Sequence, residues 1–254
     1  MTKMIKIIIL SILICLLILC MFYFMNSDFK FSFEFKEKSK IVFDETYSIN
    51  DINAIDISTK SSDVKIRASE DDKIYVKIYS RKDDEYKVEN KNNILLINKE
   101  KQSNCIGFCY SKEEIQLSIP KEYIGTITSK STSGDILSTI NNNIDYKIST
   151  KSGDIKIHKA RNISGKLTSG DLEVQNITSS IKYEATSGDI EIDNFTILKD
   201  SSIKVTSGDV EIDHVSDVYI DASVTSGNVK AKGSNRYADY ELKVRATSGD
   251  ININ

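Results

Sequence analysis

The residues that could do chemistry recur along this chain rather than cluster. Asp135, Asp154, Asp171, Asp189, Asp209 and Asp250 each follow a glycine, and Asn228 holds the same place in a further copy. The glycines are Gly134, Gly153, Gly170, Gly188, Gly208, Gly227 and Gly249, and the gaps between them are 19, 17, 18, 20, 19 and 22 residues. The motif reads Thr-Ser-Gly-Asp and then an aliphatic residue, as in Thr186 to Ile190 and Thr206 to Val210. Stacked at a strand spacing of ~4.8 Å, neighbouring carboxylates repel by about 0.9 kcal/mol even in water. A cation such as Ca²⁺ would relieve that repulsion. Calcium takes about six to eight oxygens, and the dense glycine–aspartate nonapeptide that supplies them in repeat proteins is missing here. The column is therefore read as turn chemistry, each Asp accepting local N–H or hydroxyl hydrogen bonds. No metal and no cofactor is assigned.

Other reactive constellations are sparse. The histidines, His158 and His214, fall at unrelated places in the repeat and read as solvated strand ends. No nucleophile elbow, phosphate loop or His-Glu-x-x-His stretch occurs. No catalytic residue is assigned, and the chain is read as a non-enzyme. A β-helix enzyme acting on glycans stands as the third reading, because its carboxylates need no motif. Cys105 and Cys109 bracket Gly107, which permits the tight turn a loop disulfide needs. Two cysteines without further ligands do not make a zinc site. Asn162, Asn176 and Asn194 open glycosylation sequons that are read as chance matches.

The elements that must position these residues follow from the period. Self-similarity near 20 residues means stacked units. Counting from each glycine as zero, positions +2 and +4 are apolar, as in Ile190 and Ile192 or Val210 and Ile212. Upstream, positions −5 and −3 are apolar, as in Tyr183 and Ala185 or Ile203 and Val205. Odd parity before the glycine and even parity after it cannot belong to one simple strand, since side chains alternate faces. Each unit is thus strand, sharp turn, strand, with glycine supplying positive φ at the turn. The expected fold is all-β: a repetitive, parallel β-solenoid-like array, with an antiparallel meander or sandwich as the alternative. Outward positions along it are Lys156, Glu173, Glu191, Glu211 and Lys230. The array ends at Asn254, one strand past the last glycine, which leaves an open edge that invites an end-to-end homodimer.

The chain before the array divides in order. Residues 1–6 carry Lys3 and Lys6 and read as a cytoplasmic N-terminus. Residues 7–25 form an apolar run long enough to cross a bilayer as one helix, with Phe22, Tyr23 and Phe24 at the outer interface. A cleaved signal peptide competes, but no small-x-small pair follows the run. Cys15 and Cys20 read as helix- or lipid-facing. In residues 26–43, Phe29, Phe31, Phe33 and Phe35 alternate with polar residues, a juxtamembrane strand with one aromatic face. Residues 44–125 are strand-rich and irregular, a capping region ahead of the 126–254 array. Within it Ser58 to Ile66 repeats the motif with Ser62 in place of glycine, and strands are expected at Lys73 to Ser80, Tyr86 to Glu89, Ile94 to Asn98 and Glu114 to Ile119.

Composition bounds the partners. Forty per cent hydrophobic residues exclude disorder; one proline, no tryptophan and 12 tyrosines suit strands. Net charge is −3 with no basic block in the sequence, so nucleic acid is excluded as a partner. The serial motif and the Leu117-Ser118-Ile119-Pro120 step resemble a bacterial family of membrane-anchored β-strand-repeat proteins usually called putative adhesins. The resemblance spans about residues 46–254. It implies a β-solenoid-like domain on the extracytoplasmic side of the cell membrane, carried by a single-pass signal anchor. It also implies partners among cell-envelope polymers or surface proteins, or an accessory role in envelope-stress signalling, and no shared catalytic residues. Ser62, Lys151 and Asn228 depart from its motif.

Overall fold

A computed structural model of the chain describes residues 39–80, 86–99 and 113–254. The expected membrane helix, the phenylalanine strand and the Cys105–Cys109 pair lie outside the described residues. Among those described, no helix is long and apolar enough to cross a membrane. Among the described residues all regular structure is β apart from one 3₁₀ turn, Ile49–Asp51.

The first strands are β1 (Lys40–Ser48), β2 (Ala54–Ser58), β3 (Ser62–Ala68), β4 (Lys73–Ser80), β5 (Tyr86–Lys91), β6 (Ile94–Lys99) and β7 (Glu113–Ile119). The array follows as β8 (Thr126–Ser131), β9 (Ile136–Ser138), β10 (Asp145–Ser152), β11 (Ile155–Ser169), β12 (Leu172–Ser187) and β13 (Ile190–Phe195). It ends with β14 (Ser201–Ser207), β15 (Val210–Ile212), β16 (Tyr219–Ser226), β17 (Val229–Ala231), β18 (Glu241–Ser248) and β19 (Ile251–Ile253).

Equivalent strands of different repeats pair in parallel and in register. Ile155 lies beside Leu172, Leu172 beside Ile190 and Ile190 beside Val210. On the other side of the turn Tyr183 lies beside Ile203, and Ile203 beside Val244. The repeats thus stack as rungs, each with an upstream strand before its turn and a downstream strand after it. The antiparallel alternative is confined to the first part of the chain, where β1 and β4, β4 and β7, and β5 and β6 pair antiparallel. The Ser62 copy is a full rung, not a remnant: β2 pairs with β8 and β3 with β9.

The change of parity at each turn appears as expected. Tyr183, Ala185, Ile190 and Ile192 are all buried, while Thr186, Ser187 and Asp189 are exposed. Upstream and downstream strands alike line one apolar cluster that runs from Ile52 to Ile253. Burying each isoleucine stabilises by roughly 1.5–3 kcal/mol, and no single rung could shelter its own. Tyr183 sits in register with Gly165, where a Cβ would lie 1.6 Å from the carbonyl oxygen of Ile148 in the preceding rung.

The end of the array corrects an expectation. The last rung in sequence is not the last in space. β18 pairs with β14 on one side and β16 on the other, and β19 lies between β15 and β17. Residues 241–253 are therefore inserted between the Gly208 and Gly227 rungs, and β16–β17 form the open edge. The physical reason is apolar content. The inserted rung carries Leu242, Val244, Ala246, Ile251 and Ile253, all buried; the outer one carries Ile220, Ala222, Val224, Val229 and Ala231, smaller on balance, with Ile220 alone of these five buried. The edge is also guarded. β17 is short, Lys230 lies within it and Lys232 just after it, and Asn235 N–H reaches Val218 O at 2.9 Å across the start of β16.

Candidate functional site

The glycine turns form the most regular feature. Gly188 has φ +124°, and a Cβ there would lie 1.8 Å from the carbonyl oxygen of Gly170 in the neighbouring rung. The same approach recurs between Gly208 and Gly188, and between Gly249 and Gly208. Glycine is thus needed twice over, for its φ and for the closeness of the stack. Ser62 escapes both demands because it heads the series. Its neighbour across the register is Glu113 of β7, and its hydroxyl lies 2.6 Å from Tyr86 Oη and 3.3 Å from Glu113 Oε2. Lys99 Nζ lies 2.6 and 2.5 Å from the two Glu113 oxygens, with both side chains almost wholly buried.

The aspartate column is a hydrogen-bond ladder between rungs. Asp189 N–H donates to Asp171 Oδ1 at 2.8 Å, Asp209 N–H to Asp189 Oδ1 at 2.8 Å, and Asp250 N–H to Asp209 Oδ1 at 2.7 Å. The series starts earlier with Asp171 on Asp154, Asp154 on Asp135 and Asp135 on Asp63, at 3.1, 3.0 and 3.1 Å. It closes at Asn228, whose N–H donates to Asp250 Oδ1 at 2.8 Å and whose side-chain amide reaches the same oxygen at 3.2 Å. The expected donors lay within each turn; the observed donor is the backbone of the next rung. That N–H sits against each carboxylate and offsets its repulsion from the next. Among the described residues no group of three or more His, Cys, Asp or Glu side chains is placed to hold a metal ion.

The outward faces of the upstream and downstream strands differ in charge. On the downstream face, Lys156, Glu173, Glu191 and Glu211 fall into one column, continued by Asn252 and Lys230. Lys156 pairs with Glu173. Partial burial raises the Glu191 carboxyl above the usual carboxylate range, helped by Glu173, Asp193 and Glu211 around it. Concavities here are open grooves between the repeat's own side chains, one lined by Asp154, Lys156, Asp171, Glu173, Asp189 and Glu191. The upstream face carries Lys130, Lys147, Lys166, Lys182, Lys204, Lys243 and Arg245 in two adjacent columns.

The structure brings the turn glycines and aspartates together as one file and aligns the five outward residues named from the sequence. It does not bring His158 and His214 together: they lie three rungs apart, His158 beside Gln175 and His214 against the Asp193 carbonyl. Sequence reasoning missed Asp63 as the first member of the ladder, although its place after Ser62 was a signal. It also missed the lysine face, because those cations, apart from the Lys243 and Arg245 pair, stand 16 to 39 residues apart and form no block.

No curated protein sequence matches the chain. A crystal structure of a putative cell adhesion protein from Clostridium sporogenes superposes with a TM-score of 0.38 at 15% identity, covering 84% of this chain and 99% of that one. A putative adhesin from Bacteroides fragilis gives 0.45 at 17%, covering 84% and 97%. A putative lipid binding protein from Parabacteroides distasonis gives 0.40 at 15%, covering 83% and 93%. The family model described as Toastrack DUF4097 matches residues 52–254, from two residues before β2 to the final asparagine. With its stacked rungs and most of its length inside that match, the chain belongs to the Toastrack DUF4097 family.

Proposed function

We propose that this protein is a non-enzymatic, membrane-anchored scaffold on the extracytoplasmic side, an adhesin-like module whose outer faces bind cell-envelope polymers or surface proteins. One observation carries the reading: each rung adds its outward side chains to continuous columns, so function-bearing groups are spread along faces. Enzymes gather unlike groups into a concave, water-excluding site. Here the grooves are open and lined by the repeat's own positions. The apolar 7–25 run supplies the tether, with the N-terminus inside.

The test is retention of the full-length protein by isolated cell-envelope fragments. Retention is expected, with loss of retention when the chain is shortened to residues 1–43. A protein that ignores the fragments, or that turns over a polysaccharide, would contradict the reading.

A further inference from the structure

We propose that the upstream face is a docking strip for a linear polyanion, a phosphodiester-linked polymer of the cell envelope. This rests on the function proposed above and gives its ligand a chemical class. Two outward columns run along the stack. One reads Lys130, Ser149, Lys166, Glu184, Lys204, Arg245; the other reads Thr128, Lys147, Ser164, Lys182, Ser202, Lys243. Every one of these six successive rungs therefore presents at least one cation, and the positions alternate between the columns. At a strand spacing of ~4.8 Å the strip is about 24 Å long. A positive charge thus recurs at every rung, a regular row of cations facing outward.

Three of these seven cations are ion-paired. Lys166 pairs with Glu184 at 2.8 Å, Arg245 pairs with Asp221, and Lys243 Nζ lies 3.6 Å from Asp221. Among the described residues Lys130, Lys147, Lys182 and Lys204 form no ion pair, and all four are exposed. The strip is positive although the chain as a whole carries −3, so its sign is local and not a by-product of composition.

Two other occupants fit less well. A bilayer surface would favour apolar anchors among the cations, and no exposed large hydrophobic side chain stands in these columns among the described residues. The downstream face of a second copy offers Glu173, Glu191 and Glu211 on three rungs, bracketed by Lys156 and Lys230. That is half the length of the strip.

The experiment uses the full-length chain and immobilised long-chain linear polyphosphate. The variant is Lys147→Ser/Lys182→Ser/Lys204→Ser; serine already occupies the same columns at Ser149, Ser164 and Ser202, so the fold is retained. Affinity is expected to fall about tenfold or more, and the slope of log affinity against log salt to become shallower by roughly 2. The companion variant, Glu173→Gln/Glu191→Gln/Glu211→Gln, is expected to bind as well as the parent or better. Unchanged binding by the lysine variant would overturn the proposal. So would a parent protein that binds only phosphatidylglycerol vesicles, or one that shows only salt-sensitive self-association. Envelope fragments separate the two levels. If the lysine variant is retained as well as the parent, the strip is wrong and the broader reading stands. If the parent binds polyphosphate but not the fragments, the broader reading falls and the strip stands.

Discussion

Asn228 departs from aspartate at the one place in the ladder where a carboxylate would have nothing to accept. Every aspartate before it receives the N–H of the next rung, and Asn228 belongs to the last rung in space. Asp189→Ala, which orphans the Asp209 N–H, is expected to cost about 1 kcal/mol in urea unfolding. Asn228→Asp should gain nothing, because no N–H arrives there and its carboxylate meets that of Asp250. The interior tyrosines give a paired test. Tyr146 Oη lies 2.8 Å from Ser138 Oγ, whereas the buried Tyr183 hydroxyl has no hydrogen-bond partner. Tyr183→Phe is expected to hold or raise stability, and Tyr146→Phe to lower it by about 1 kcal/mol. Asp145 sets the pH response. Burial pushes its carboxyl up, but the paired Arg161 bonds at 2.8 and 2.7 Å and the Asn162 amide outweigh it, so it titrates below the usual range. A depressed folded-state pKa stabilises above the unfolded value and loses that stability as pH falls through the folded one. Asp145→Asn should therefore be less stable than the parent at neutral pH, with the gap closing in acid.

At the scale of elements, the glycine period made the strand–turn–strand unit legible, and the parity of Tyr183, Ala185, Ile190 and Ile192 fixed which side chains face inward. Lys73–Ser80 could be read to its ends because its alternation is unbroken. What could not be read is which rung lies next to which. Near-identical edges pair equally well in sequence order or with one rung displaced, and local pattern does not decide between them. The signals were indirect: Asn228 in the ladder, small side chains at Ala222 and Ala231, and the 22-residue gap that gives the chain room to double back. Substitution can read the order out. Leu242 is fully buried and Val229 is 40% exposed. Leu242→Ala is expected to cost about 2–5 kcal/mol, and Val229→Ala to stay within about 0.5 kcal/mol. Stacking in sequence order would put the Val229 rung inside and the Leu242 rung at the edge, and would reverse that ranking.

Across the whole molecule, the two outward faces carry opposite charge, and both follow from register. Cations one repeat apart in sequence become a continuous strip only when rungs stack in parallel, so composition and block searches pass over it. The relocated edge also changes what end-to-end pairing would involve. A contact through the open end would use β16 and β17, with Lys230 and Lys232 in the way, and not the chain terminus. The ladder, the lysine strip and the guarded edge all assume one stacking order, and a cross-link tests that order most directly. Glu211 is in register with Asn252, and Asn252 with Lys230. Adjacent strands lie ~4.8 Å apart, within disulfide reach, and alternate ones ~10 Å apart, beyond it. Under mild oxidation of the full-length chain, with peptide mapping to set aside the native cysteines, Glu211→Cys/Asn252→Cys is expected to form the new bond and Glu211→Cys/Lys230→Cys to leave its thiols free. Ready closure of the second pair, with the first remaining open, would contradict the account.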